Sequence, residues 1–76
     1  MELKVGQIWK HYKGDTYKII TLGKLEENQE EMVVYERQTD IAHTGWRIWI
    51  CPQRLFEETV EWKGKTVPRF TFVSDN

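Results

Sequence analysis

Cysteine occurs once, at Cys51. A single thiol excludes an intramolecular disulfide. Histidine occurs twice, as His11 and His43. A structural zinc site typically takes four Cys or His ligands in paired spacing, so no metal site is expected. Serine is confined to Ser74, close to the C-terminus, which leaves a serine triad without a well-placed nucleophile. Glycines are scattered among turns at Gly14, Gly23, Gly45 and Gly64, and no phosphate-cradling loop is formed. No cofactor is expected. No apolar run reaches the roughly 20 residues of a membrane span. The opening MELKVGQIWK lacks a signal-peptide apolar region, and with the lone cysteine the expected location is cytoplasmic. Charge of one sign is also lacking. The net charge of −1 gives no general attraction to nucleic acid or to an anionic membrane. Its distribution is uneven, with lysines clustered in the first 25 residues and Glu26, Glu27, Glu30 and Glu31 close together after them.

Aromatic side chains are plentiful. Four Trp, three Tyr and three Phe in 76 residues predict an aromatic core for one domain spanning residues 1–76. Each ring buries roughly 150–250 Å², which helps to offset a backbone ordering cost of about 1–2 kcal/mol per residue. Oligomerisation is the other route open to so small a chain.

Strand signals dominate. VGQIWKHY and TYKIITLGKL flank KGD, where Gly14 can take the left-handed conformation of a tight turn. Gly23 marks an expected bulge. EENQEE reads as an exposed turn, MVVYERQ as the third strand, TDIAHTG as a loop and WRIWI as the fourth strand, ended by Pro52. PQRLFEE fits one helical turn with Leu55 and Phe56 inward. TVEW and TVPRFTFV form a second hairpin turning at Lys63-Gly64, with Pro68 at an edge or bulge. The predicted fold class is all-β: a small SH3-like or OB-like barrel, or a strongly bent antiparallel sheet, of five to six strands.

Period two sorts the faces. In the fourth strand Trp46, Ile48 and Ile50 are assigned to the core, opposite Arg47, Trp49 and Cys51. In the third, Val33, Tyr35 and Arg37 share a face. Trp9 shares one with His11, and Phe70 with Phe72.

The motifs HYKG (11–14), VVY (33–35) and GKTVPRF (64–70), with Trp49, Pro52 and Phe56 between them, resemble the domain-of-unknown-function 1653 family of small bacterial proteins. The resemblance spans about residues 6–70. It implies a small β-fold and carries no established activity. Two departures stand out: Cys51 replaces an arginine usual before the proline, and EENQEE replaces a His-Ser-Glu-Thr-like stretch. A site built on those residues in relatives is altered or lost here.

Catalysis is disfavoured. Cys51 at the end of an apolar strand reads as an inert, buried thiol, and pairing with His11 or His43 has no supporting motif. His11 has two readings, a hydrogen bond to the turn backbone or a ligand contact. Arg69 likewise pairs with Glu57 or Glu58, or presents its fork to an anion. The favoured reading is a non-enzymatic binding module. Lysines and arginines interleave with aromatics, a composition suited to single-stranded nucleic acid or an extended peptide. The candidate ligand-binding residues are His11, Tyr12, Lys13, Tyr35, Trp49 and Arg69. The alternative is a structural or interaction subunit acting through edge-strand pairing, for example by PRFTFV, or through a homodimer. A small-molecule enzyme ranks below both. No membrane partner is expected.

Overall fold

The computed structural model describes residues 2–38 and 47–75. The predicted loop 39–45, His43 and Trp46 lie outside the described residues. The chain runs β1 (Ile8–His11), β2 (Thr16–Lys24), β3 (Glu31–Arg37), β4 (Ile48–Pro52), α1 (Gln53–Phe56), β5 (Thr59–Trp62), β6 (Lys65–Pro68) and β7 (Phe70–Ser74). Two antiparallel sheets result. One has five strands in the order β4-β3-β2-β1-β7, and the other is the β5-β6 hairpin.

The turns follow from local chemistry. Gly14 sits at φ +115 with nothing within 4 Å of a built Cβ, so the backbone angle, not crowding, calls for glycine. Lys63 and Gly64 both take positive φ, at 53° and 79°. Two left-handed residues in succession suit the twist of a two-residue hairpin. Between β2 and β3, Leu25 N–H donates to the Glu30 carbonyl at 2.8 Å and Gln29 N–H to the Leu25 carbonyl at 2.6 Å. EENQEE is thus the exposed turn its polarity predicts.

Several expectations are corrected. The bulge lies at Ile20, where the register slips between Ile19 and Thr21. Gly23 pairs regularly with Met32. TVPRFTFV is two strands in two different sheets. Pro68 has no N–H to extend a ladder, and Arg69 turns its own N–H to the Glu58 carbonyl (3.0 Å) and accepts at its carbonyl from Tyr12 N–H (2.9 Å). The main sheet is bent without closing into a barrel, because β4 and β7 remain as its two edges. The faces of β4 are inverted: Ile48 is 47% exposed and Ile50 63%, whereas Cys51 packs against the core. The physical reason is register. Tyr35 pairs with Trp49 and Val33 with Cys51, and directly opposed residues share a face, so fully buried Val33 draws Cys51 and Trp49 to the inner side.

The core gathers Leu3, Trp9, Tyr17, Ile19, Val33, Phe56 and Phe70. The single turn of α1 lays Phe56 over the inner face, where it stacks on Phe70 with centroids 4.0 Å apart and planes 9° from parallel. Trp9 meets Phe56 edge-on at 5.4 Å. Buried Gln7 completes the region: its Oε1 accepts from the indole N–H of Trp9 at 3.1 Å and from Lys4 N–H at 2.9 Å.

Candidate functional site

The inner face of the sheet is covered by α1 at one end and open at the other. The open end is a cleft of about 330 Å³ lined by His11, Lys13, Asp15, Tyr17, Tyr35, Arg37 and Trp49. Strand alternation supplies most of this lining. Trp49 and Tyr35 are direct partners across β4 and β3, Tyr17 and Arg37 across β2 and β3, and the β1–β2 turn adds Lys13 and Asp15 at the rim.

His11 organises that turn. Its N–H donates to the Asp15 carbonyl at 2.7 Å and its carbonyl accepts from Gly14 N–H at 2.8 Å. Its ring Nδ1 accepts from Lys13 N–H at 3.1 Å. An accepting Nδ1 is unprotonated, so the neutral ring carries its proton on Nε2. Burial holds the imidazole below its usual pKa, with Arg69 and Lys13 acting in the same direction and Asp15 against them. The expected bond from His11 to the turn backbone is therefore present. The ring also packs edge-on against Phe70 at 5.0 Å.

Tyr35 and Cys51 form a neutral pair beside the cleft. Burial pushes the Tyr35 phenol well above its ordinary pKa, and the neighbouring Cys51 adds to the shift. Burial likewise raises the Cys51 thiol, against smaller opposing effects from its hydrogen bond with Tyr35 and from Arg69. A thiol shifted this way stays protonated and unreactive at neutral pH. Tyr17 crosses Tyr35 edge-on at 5.1 Å, fixing both rings. Trp49, 40% exposed, presents the most open aromatic surface in the cleft.

Four of the six sequence-predicted residues, His11, Lys13, Tyr35 and Trp49, line this cleft. Tyr12 and Arg69 lie beside it, Tyr12 packed on the His11 ring with centroids 4.4 Å apart and Arg69 near enough for its charge to act on His11 and Tyr35. Tyr12 meets Trp62 edge-on at 5.1 Å, with the Lys13 ammonium 5.8 Å from its ring centroid. The Arg69 guanidinium donates through Nη2 to Glu58 at 2.9 Å, one of the two pairings expected for it. Lys10 and Lys18 belong to the opposite sheet face. They alternate with Trp9 and with Tyr17 and Ile19, whose side chains are buried inward. Asp15, Tyr17 and Arg37 line the cleft without having been among the predicted site residues. The alternation of MVVYER already set Arg37 on the face of Val33 and Tyr35, so its place was available from the pattern. Asp15 owes its place to the turn geometry. Among the described residues no group of three or more His, Cys, Asp or Glu could hold a metal ion.

A family model described as a protein of unknown function, DUF1653, matches residues 7–72. The chain belongs to the DUF1653 family. It is also similar to a crystal structure of a DUF1653 protein from Bordetella bronchiseptica. That structure shares 33% sequence identity and superposes with a TM-score of 0.81, over 96% of this chain and 90% of that one. No curated protein matches the chain. The HYKG and VPRF motifs of this DUF1653 chain have structural duties here. HYKG builds the His11-centred turn, and VPRF is the crossing between the two sheets.

Proposed function

We propose that this DUF1653 domain is a small binding module that holds single-stranded nucleic acid at the cleft between the β1–β2 turn and β4. The observation that carries the reading is the joint presence in one open cleft of Trp49, Tyr35 and Tyr17 with Lys13, Arg37 and His11. An exposed indole offers a stacking surface to any base, and the cations at the rim suit the adjacent phosphates. The cleft is near the lower end of the roughly 300–1,000 Å³ typical of small-ligand sites, a size for one nucleotide with its neighbours lying outside. With a net charge of −1, non-specific affinity is weak and the local contacts set the binding.

The test is an amide-NMR titration with short mixed-sequence oligonucleotides at low and moderate salt. Engagement of about two to three phosphates gives a log–log salt slope of about −1.4 to −2.1. Trp49→Ala should weaken binding by about five- to 150-fold, the loss of one base stack worth roughly 1–3 kcal/mol. An absence of shifts at millimolar oligonucleotide rejects the reading. Shifts restricted to Lys10 and Lys18, indifferent to Trp49→Ala, reduce it to charge attraction on the other face. Binding of an extended peptide that depends on Trp49 and ignores salt would replace the nucleic acid with a peptide.

A further inference from the structure

β4 is an edge strand, and its main-chain groups can be assigned a direction. Arg37 N–H donates to the Arg47 carbonyl at 2.8 Å, and Gln38 N–H to the Thr16 carbonyl at 2.8 Å. In antiparallel pairing, alternate residues turn their N–H and C=O to opposite sides. With the β3–β4 register, Arg47, Trp49 and Cys51 bond inward to β3. Ile48, Ile50 and Pro52 turn theirs to the open edge.

The usual defences of an edge are charged side chains, proline, short length, bulges and a covering element. β4 is short and ends in Pro52, but among the described residues no charge, bulge or covering strand guards Ile48–Cys51. No charged residue lies between Ile48 and Pro52. Ile48, Trp49 and Ile50 are 47%, 40% and 63% exposed, and among the described residues no strand pairs with the outer side of β4. The outer face continues the apolar character inward: Ile50 pairs with Val34, and the bulged Ile20, 38% exposed, lies on the far side of Val34.

We propose that β4 pairs antiparallel with β4 of a second copy of this chain, about a two-fold axis through Trp49. The free edge is self-complementary in that register. Ile48 of each copy faces Ile50 of the other as a reciprocally hydrogen-bonded pair, so every free donor and acceptor on both isoleucines is used. Pro52 falls outside these pairs. An axis through Ile50 would instead set Ile48 against Pro52 and strand the Ile48 carbonyls. Arg47 faces the second copy's Cys51, so no like charges oppose, and it is already paired with its own Glu36 at 3.2 Å. The isoleucines of both copies then cover one another on the outer face. The two Trp49 residues meet on the inner face as a non-hydrogen-bonded pair, the closer type of cross-strand contact. The two clefts abut across the axis.

The first measurement is sedimentation equilibrium of the full chain without nucleic acid, from micromolar to millimolar. The mass should rise from monomer to dimer with concentration. Ile50→Lys, at an exposed position, should hold it at monomer with an unchanged circular dichroism spectrum. The second measurement fixes the register. In a Cys51→Ala background, Trp49→Cys should form a disulfide dimer at least about tenfold faster than Ile50→Cys, because non-hydrogen-bonded partners bring their Cα atoms to about 4.5 Å, within the disulfide range. A monomer mass at every concentration, a dimer that survives Ile50→Lys, or faster cross-linking through Ile50→Cys overturns the proposal. Ligand plays no part in either measurement, so failure here leaves the nucleic-acid reading standing, and failure of that reading leaves the dimer standing.

Discussion

His11 joins fold and site at a single side chain. Its ring lines the cleft while its Nδ1 closes the turn by accepting from Lys13 N–H, a role that needs the neutral ring. Its native pKa lies below the ordinary value of 6.5, first because of burial, then because of Arg69 and Lys13. On acidification the unfolded chain therefore takes up this proton before the native one does. Stability falls as the pH drops through 6.5, and the loss stops growing once the pH is below the lowered native value. Above 6.5 both states are neutral and the residue adds no slope. Thermal melts between about pH 8 and pH 5, across the histidine range, should show a falling midpoint in the native chain and a flatter profile in His11→Gln. Identical profiles would remove His11 as the cause. At this scale the sequence was partly legible. A glycine after His-Tyr-Lys declares its turn, and Arg69 has an acid within reach in Glu58. Gln7 was not legible, because nothing in VGQIW tells that its amide oxygen will be buried to receive an indole N–H.

Among the elements, the β5–β6 hairpin has no strand-to-strand pairing with the main sheet. It is tied across at Arg69, whose N–H extends the hairpin to the Glu58 carbonyl while its carbonyl accepts from Tyr12 N–H beside β1, and by the Tyr12–Trp62 contact at 5.1 Å and 73°. An edge-to-face aromatic pair contributes about 0.5–1.5 kcal/mol beyond simple burial. A double-mutant cycle with Tyr12→Ala and Trp62→Ala, read by urea unfolding, should return a coupling energy in that range. A coupling near zero would mean that Tyr12 is free to act elsewhere, including as a ligand contact. Hairpins were readable because their turns are chemically marked. The faces of β4 were not, because Ile48, Trp49 and Ile50 are all apolar and alternation leaves no polar mark to tell in from out. Only pairing with β3 resolves it. The break at Arg69 was hidden for a related reason: TVPRFTFV is strand-like on both sides of Pro68, and the change of sheet depends on where Glu58 and Tyr12 present their backbone partners.

For the whole molecule, the abundance of rings in so few residues translates into a core centred on one of them. Phe56 is 1% exposed. It stacks on Phe70 at 4.0 Å and meets Trp9 at 5.4 Å and Tyr35 at 5.6 Å, so three strands converge on a residue held by a single helical turn. The all-β class was legible because strand signals recur along the chain with little helical periodicity. The open sheet was not, since closure depends on whether β4 and β7 meet, a long-range fact with no local signature. A chain of this length has a total stability of about 4–11 kcal/mol at the usual 0.05–0.15 kcal/mol per residue. Phe→Ala in a core costs about 3–5 kcal/mol. Phe56→Ala should therefore remove much or all of the folding free energy, and Phe56→Leu, which retains most of the volume, should remain folded with a lowered midpoint. Tyr35 touches Phe56 on one side and the cleft on the other, so any binding at the cleft should be lost with the fold in Phe56→Ala and kept in Phe56→Leu. A urea midpoint in Phe56→Ala corresponding to a loss below about 1 kcal/mol, far under the usual cavity cost, would show that the core does not depend on this residue.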